Sequence, residues 1–83
     1  MTKPHELTDE MLEELIFQLR PLKNSFLGLK IQHKQTGNYY IITGFHYRES
    51  IMGIEFTYET LHKEGLAFSR PINELMDGRF KFT

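Results

Sequence analysis

The run Phe68-Ser69-Arg70-Pro71-Ile72-Asn73-Glu74-Leu75-Met76-Asp77-Gly78-Arg79-Phe80 constrains this chain more than any other stretch. It sets a proline, an Asp-Gly turn and two arginines between aromatic anchors, close to the chain end, where small domains commonly fray. Proline fixes its own φ and withholds an N–H, and glycine admits left-handed backbone. Pro71 and Gly78 therefore re-aim the chain so that Phe80 and Phe82 return to close a core. The terminus is expected to fold back and be pinned, with Arg70 and Arg79 converging on one surface.

Such closure matters because the core is small. The 83 residues have room for one domain, 1–83, and a domain of this size buries only about 60–65% of its unfolded surface. There is no cysteine, so neither a disulfide framework nor a thiolate metal site supplements the core. Aromatics make up 13% of the chain and supply large burial per residue. A small core without staples leaves oligomerisation open as a source of further burial.

Charge and hydropathy narrow the setting. The polar opening Thr2-Lys3-Pro4-His5-Glu6 and the interruption of the first apolar stretch by Glu13 and Glu14 do not fit a secretory leader or a membrane span, which need an unbroken apolar run. A cytoplasmic protein is expected, and a chain without cysteine is compatible with a reducing compartment. A net charge of −1 argues against a sequence-independent grip on nucleic acid. Glu6, Asp9, Glu10, Glu13 and Glu14 outweigh Lys3 and Arg20 in the first segment, which leaves the remainder mildly basic.

Residues 1–7 are expected to be flexible, followed by one amphipathic helix over 8–20. Thr8 suits an N-cap, Asp9 and Glu10 complement the dipole of the first turn, and Leu7 and Leu12 have hydrophobic-staple spacing. Met11, Leu12, Leu15, Ile16 and Leu19 share one face, which suits a helix that covers a sheet. Phe17 lies off that stripe and motivates the alternative of a partner-binding or dimer-forming helix. Pro21 is expected to stop the helix, since the residue before a proline is driven out of helical geometry.

Residues 28–82 read as β. Leu29 to Lys34 alternates apolar and polar residues, Gln35-Thr36-Gly37-Asn38 is a turn, and Tyr39 to Tyr47 is a central strand in which Gly44 marks a bulge or bend. After a return at Glu49 to Gly53, Ile54, Phe56 and Tyr58 alternate with Glu55, Thr57 and Glu59. His62-Lys63-Glu64-Gly65 is a further turn, and Leu66 to Ser69 a short strand. Pro71 to Met76 can form one helical turn with proline at its first position, Asp77-Gly78 turns the chain, and Phe80-Lys81-Phe82 is a closing strand. The expected fold is α+β: one N-terminal amphipathic helix packed on a strongly bent antiparallel sheet, or a small partly open barrel, of about four to five strands.

Four segments carry a family likeness: Ile31-Gln32-His33-Lys34 with Gly37 and Tyr40, Gly44-Phe45-His46-Tyr47-Arg48-Glu49, Phe56-Thr57-Tyr58-Glu59-Thr60-Leu61, and Phe68-Ser69-Arg70-Pro71 through Asp77-Gly78-Arg79-Phe80. Together they resemble the family of short bacterial and phage proteins called domain of unknown function 1653 and its prophage relatives. The likeness spans Leu27 to Phe82 and omits the helix; Phe68 stands where a tryptophan is usual, and Gln35-Thr36 are inserted. The resemblance implies a compact β-domain, a prophage or mobile-element setting and no established activity, with the Arg-Pro element as its most characteristic point.

Among residues that carry chemistry, Arg70 comes first. An arginine held before a proline offers a planar fork to a carboxylate or phosphate, or alternatively pairs internally with Glu49, Glu74 or Asp77. Arg79 carries the same two readings. His33 and His46, on neighbouring strands, are candidates to meet, and with Glu49 they would form a two-His–one-carboxylate set, although no compact ligand motif is present. Tyr39, Tyr40, Tyr47, Phe56, Tyr58 and Phe68 belong mostly to the core, with Tyr47 and Tyr58 expected to be partly exposed. Glu49, Glu55 and Glu59 read as a solvated strand edge. Thr43, Ser50 and Ser69 lack a nucleophile setting, and no glycine loop cradles a phosphate. No catalytic residue, metal or cofactor is expected.

These readings favour a small non-enzymatic binding domain with its ligand site around Arg70, His33, His46, Tyr58 and Arg79, taking a small anionic ligand or a protein partner. A phage accessory role, such as sequestering a host signalling nucleotide or blocking a host protein, follows only from the resemblance. The alternative is a structural or assembly protein acting through self-association, for which a homodimer is the simplest form. An enzyme acting on nucleotides or through a metal ranks last.

Overall fold

A computed structural model describes residues 8–61 and 66–83. The N-terminal segment 1–7, with the staple of Leu7, and the turn at 62–65 lie outside the described residues.

Helix α1 spans Asp9–Phe26. Thr8 caps it, its Oγ1 accepting the Met11 N–H at 3.2 Å, and Asp9 and Glu10 occupy the first turn. The expectation that Pro21 ends the helix is corrected, because Pro21 lies inside it. Proline forfeits one helical hydrogen bond, but Leu22 and Phe26 beyond it pack with Leu19 against the core. Phe26 stands 6.4 Å from Phe45 and 5.7 Å from Phe82 between ring centroids. Tertiary burial has overridden local propensity. Gly28, at φ 82°, then turns the chain into the sheet.

Five strands follow: β1 (Lys30–His33), β2 (Tyr39–Arg48), β3 (Gly53–Thr60), β4 (Ala67–Pro71) and β5 (Phe80–Phe82). They form one antiparallel sheet in the order β4-β3-β2-β1-β5. The sheet stays open, so of the two architectures expected the bent sheet holds and the barrel does not. Register between β2 and β3 shifts between Ile42 and Gly44, a bulge at the place Gly44 marked in the sequence. The extra residue keeps both Ile42 and Phe45 on the core face despite their odd spacing.

The core consists of Ile31, Ile42, Phe45, Phe56, Tyr58, Leu75 and Phe80. Leu75 comes from α2 (Asn73–Met76), the single turn that carries the chain from edge strand β4 to edge strand β5. Pro71 does not open that turn as expected; it ends β4, opposite Glu55, at a sheet edge, where a missing N–H is tolerated. Tyr58 is 4% exposed, which corrects its expected partial exposure. It stacks on Phe56 with centroids 5.2 Å apart and meets Tyr40 edge-on at 5.0 Å. No helix among the described residues is long and apolar enough to cross a membrane.

Candidate functional site

Alternation along β4 places Phe68 and Arg70 on the core side of the sheet, opposite Tyr58 and Phe56. Arg70 consequently reaches inward rather than out to solvent. Its Nε donates to the Tyr58 hydroxyl at 2.7 Å, and its Nη1 donates to Glu74 Oε1, also at 2.7 Å. The guanidinium lies 5.7 Å from the Phe80 ring centroid, within cation–π range. The Tyr58 hydroxyl, and after it Glu74, hold Arg70 more firmly protonated than a free arginine, against the opposing effect of burial.

Arg79 is brought alongside by the Asp77-Gly78 turn. Gly78 has φ 97°, and Asp77 receives the Arg79 backbone N–H at 3.2 Å and its Nε at 2.9 Å. Arg79 Nη1 stands 3.4 Å from the same Glu74 Oε1 that binds Arg70. One carboxylate oxygen therefore bridges both arginines. Of the internal partners weighed for Arg70, Glu74 is the one used; for Arg79, Asp77 and Glu74 both serve.

The third wall is the β1–β2 turn. His33 faces Phe80 across the β1–β5 pair and meets it edge-on at 5.1 Å. Its Nδ1 accepts the Thr36 N–H at 3.4 Å, which in the neutral ring leaves the proton on Nε2. Gly37, at φ 77°, closes the turn with its N–H on the His33 carbonyl at 2.7 Å. His33, Lys34, Gln35, Thr36, Arg70, Gly78 and Arg79 together line an open cleft of about 780 Å³. Three cations, Lys34, Arg70 and Arg79, set against Glu74 and Asp77, leave this region with an excess of one positive charge.

Of the residues proposed from the sequence, His33, Arg70 and Arg79 converge on the cleft. Tyr58 lies beneath it, a buried support for Arg70 rather than a lining residue. His46 does not join them. In register with Glu55, it lies on the opposite sheet face from His33, which removes the expected approach of the two histidines. Among the described residues no group of three or more histidines and carboxylates is placed to hold a metal ion.

The far face carries its own polar network. Glu55 Oε1 accepts from Arg48 Nε at 2.8 Å and bonds His46 Nε2 at 3.0 Å, and His46 Nδ1 bonds Thr57 Oγ1 at 3.2 Å. Glu55 is buried at 6% exposure, not part of a solvated strand edge, because His46 and Arg48 converge on it from the neighbouring strand. The Arg48 hydrogen bond, partly opposed by desolvation and aided by His46, lowers its pKa below the ordinary carboxylate value. Thr57, His46 and Glu55 are linked hydroxyl to imidazole to carboxylate as in a hydrolytic triad, but Arg48 already satisfies the carboxylate, and the imidazole is reversed, with Nε2 on Glu55 and Nδ1 on Thr57.

Lys34 is the site residue that the sequence reading missed, whereas Glu74 is one of the three internal partners that reading gives Arg70. Glu74 sits four residues after Arg70, a spacing compatible with an ion pair, and Lys34 adjoins His33 in the turn. No protein-family model, no curated protein and no solved structure matches the chain.

Proposed function

We propose that this domain is a non-enzymatic binding module for a small oxyanion, a phosphate or carboxylate group, held in the cleft between the β1–β2 turn and the Asp77-Gly78 turn. The observation that carries this reading is the convergence of His33, Lys34, Arg70 and Arg79 on one open cleft. The Glu74 carboxylate between the two arginines supports an oxyanion as the class of ligand. Arg70 spends Nε and Nη1 internally, which fixes its fork and leaves Nη2 for a ligand. Lys34 adds a point charge, Arg79 a second guanidinium, and His33 an imidazole N–H donor. The family resemblance implies no activity and adds nothing to this reading.

The test is an amide NMR titration of the full chain with inorganic phosphate, pyrophosphate and citrate. Saturable shifts confined to 33–36 and 78–79, weakened in Lys34→Ala and Arg79→Ala variants that keep the wild-type melting temperature, support the cleft. Shifts that never saturate, or that persist unchanged in both variants, overturn it.

A further inference from the structure

The outward face of α1 is apolar at its middle and oppositely charged at its two ends. Ile16 is 56% and Phe17 72% exposed, and no residue of the helix is fully buried. The contacts of α1 with the core come from Leu19, Leu22 and Phe26, all in its second half. Glu13, Ile16, Phe17 and Arg20 fall at positions i, i+3, i+4 and i+7, one stripe of a helix, and the same four residues line a shallow depression of about 240 Å³. Glu13 and Arg20 lie symmetrically about the point between Ile16 and Phe17.

We infer that this stripe is the interface of a homodimer in which two α1 helices pack antiparallel about a two-fold axis passing between Ile16 and Phe17. A two-fold interface must be self-complementary, and this stripe is. Antiparallel pairing sets Glu13 beside the partner's Arg20, and Arg20 beside the partner's Glu13. Ile16 then packs on the partner's Phe17, and Phe17 on the partner's Ile16, at the centre. Parallel pairing would oppose like charges at both ends and align the two helix dipoles, so orientation follows from charge. A single helix-on-helix contact buries less than the roughly 800 Å² per partner of a standard interface, so the dimer is weak and concentration-dependent. None of the oxyanion-cleft residues takes part.

Sedimentation equilibrium of the full chain over a wide concentration range tests this. The wild type is expected to show a reversible monomer–dimer equilibrium that weakens with salt, and Phe17→Asp to remain monomeric with an unchanged circular dichroism spectrum. Glu13→Arg and Arg20→Glu, each alone, place like charges opposite one another twice and are expected to weaken the dimer about tenfold or more. An equimolar mixture of those two variants matches every introduced charge with its opposite and is expected to regain an affinity near that of the wild type. A wild type that stays monomeric throughout overturns the proposal, as does a mixture that associates no better than the single variants.

Discussion

The guanidinium of Arg70 lies 5.7 Å from the ring centroid of Phe80, although the two residues belong to opposite edge strands of one open sheet. Their approach measures how strongly the sheet curls: β4 and β5 share no ladder hydrogen bonds, yet a side chain from one rests on an aromatic from the other. Arg70 thereby spans the gap that backbone pairing leaves, and Tyr58 and Glu74 hold it in place. Phe80 is also packed edge-on against Phe56 at 5.8 Å, so the arginine closes the aromatic core as a lid.

Arg70→Ala is therefore expected to be a stability variant before it is a binding variant. It removes two hydrogen bonds made by a charged group, each worth about 1.5–3 kcal/mol when well shielded. The side chain is 31% exposed, and screening lowers the net loss to about 2–3 kcal/mol. For a domain of this size each kcal/mol moves the melting temperature by about 4–8 °C, so thermal denaturation should show a fall of well over 5 °C. Arg70→Lys keeps the charge but cannot serve Tyr58 and Glu74 through one planar fork and should recover less than half of the loss. A melting temperature unchanged in Arg70→Ala would remove the lid.

Much of this arrangement is legible in the sequence, and what is not has a physical cause. Alternation in β3, the bulge at Gly44 and the turns at Gly37 and Gly78 are local signals, and the structure keeps them. The convergence of Arg70 and Arg79 also follows from the turn chemistry between them. Pro21 misled because the helix beyond it is held by Leu22 and Phe26 against the core, a gain invisible to neighbour-by-neighbour rules. Tyr58 and Glu55 misled because alternation says which residues share a face but not what covers that face. His33 and His46 are separated for the same reason: adjacent strands do not imply a common side.

The helix extension leads to a second prediction. Pro21 sits in the interior of α1 on its exposed side, where it interrupts one hydrogen bond. Proline in a helix interior is about 3 kcal/mol worse than alanine, and the Pro21 side chain is exposed. Pro21→Ala is expected to stabilise the domain by about 1–3 kcal/mol and to raise helical ellipticity. A destabilised variant would mean that a bend at Pro21 is required to seat Leu22 and Phe26.

A third prediction concerns pH and the far face. A carboxylate whose folded pKa is depressed binds its proton less readily folded than unfolded, so its contribution is present above the unfolded pKa and lost as pH falls through the folded one. Glu55 is such a group, through Arg48 first and His46 after it. Glu55→Gln should cost about 1 kcal/mol at neutral pH, and the difference from wild type should shrink below about pH 4 as the wild-type carboxylate protonates. Urea denaturation of both proteins from pH 7 down to about pH 3 measures it. A gap that is constant with pH would assign the effect to packing instead of charge.

Gly78 offers the cleanest separation of backbone from side-chain effects. Its φ of 97° lies in the region that side-chain-bearing residues avoid, and a Cβ placed there would meet no atom within 4 Å. Any loss in Gly78→Ala is therefore conformational strain in the turn, with no steric clash to confuse it, and should amount to about 1–2 kcal/mol. The turn also aims Arg79 at Glu74, with the Asp77 carboxylate gripping both the backbone N–H and Nε of Arg79. If the chain relieves the strain by opening the turn, Arg79 leaves the cleft and phosphate-induced amide shifts weaken beyond what the stability loss explains. If the turn instead holds its shape, stability falls while the shifts at 33–36 stay intact. Equilibrium unfolding together with the phosphate titration distinguishes the two outcomes, and a Gly78→Ala protein as stable as wild type would show that this turn carries no strain that only glycine relieves.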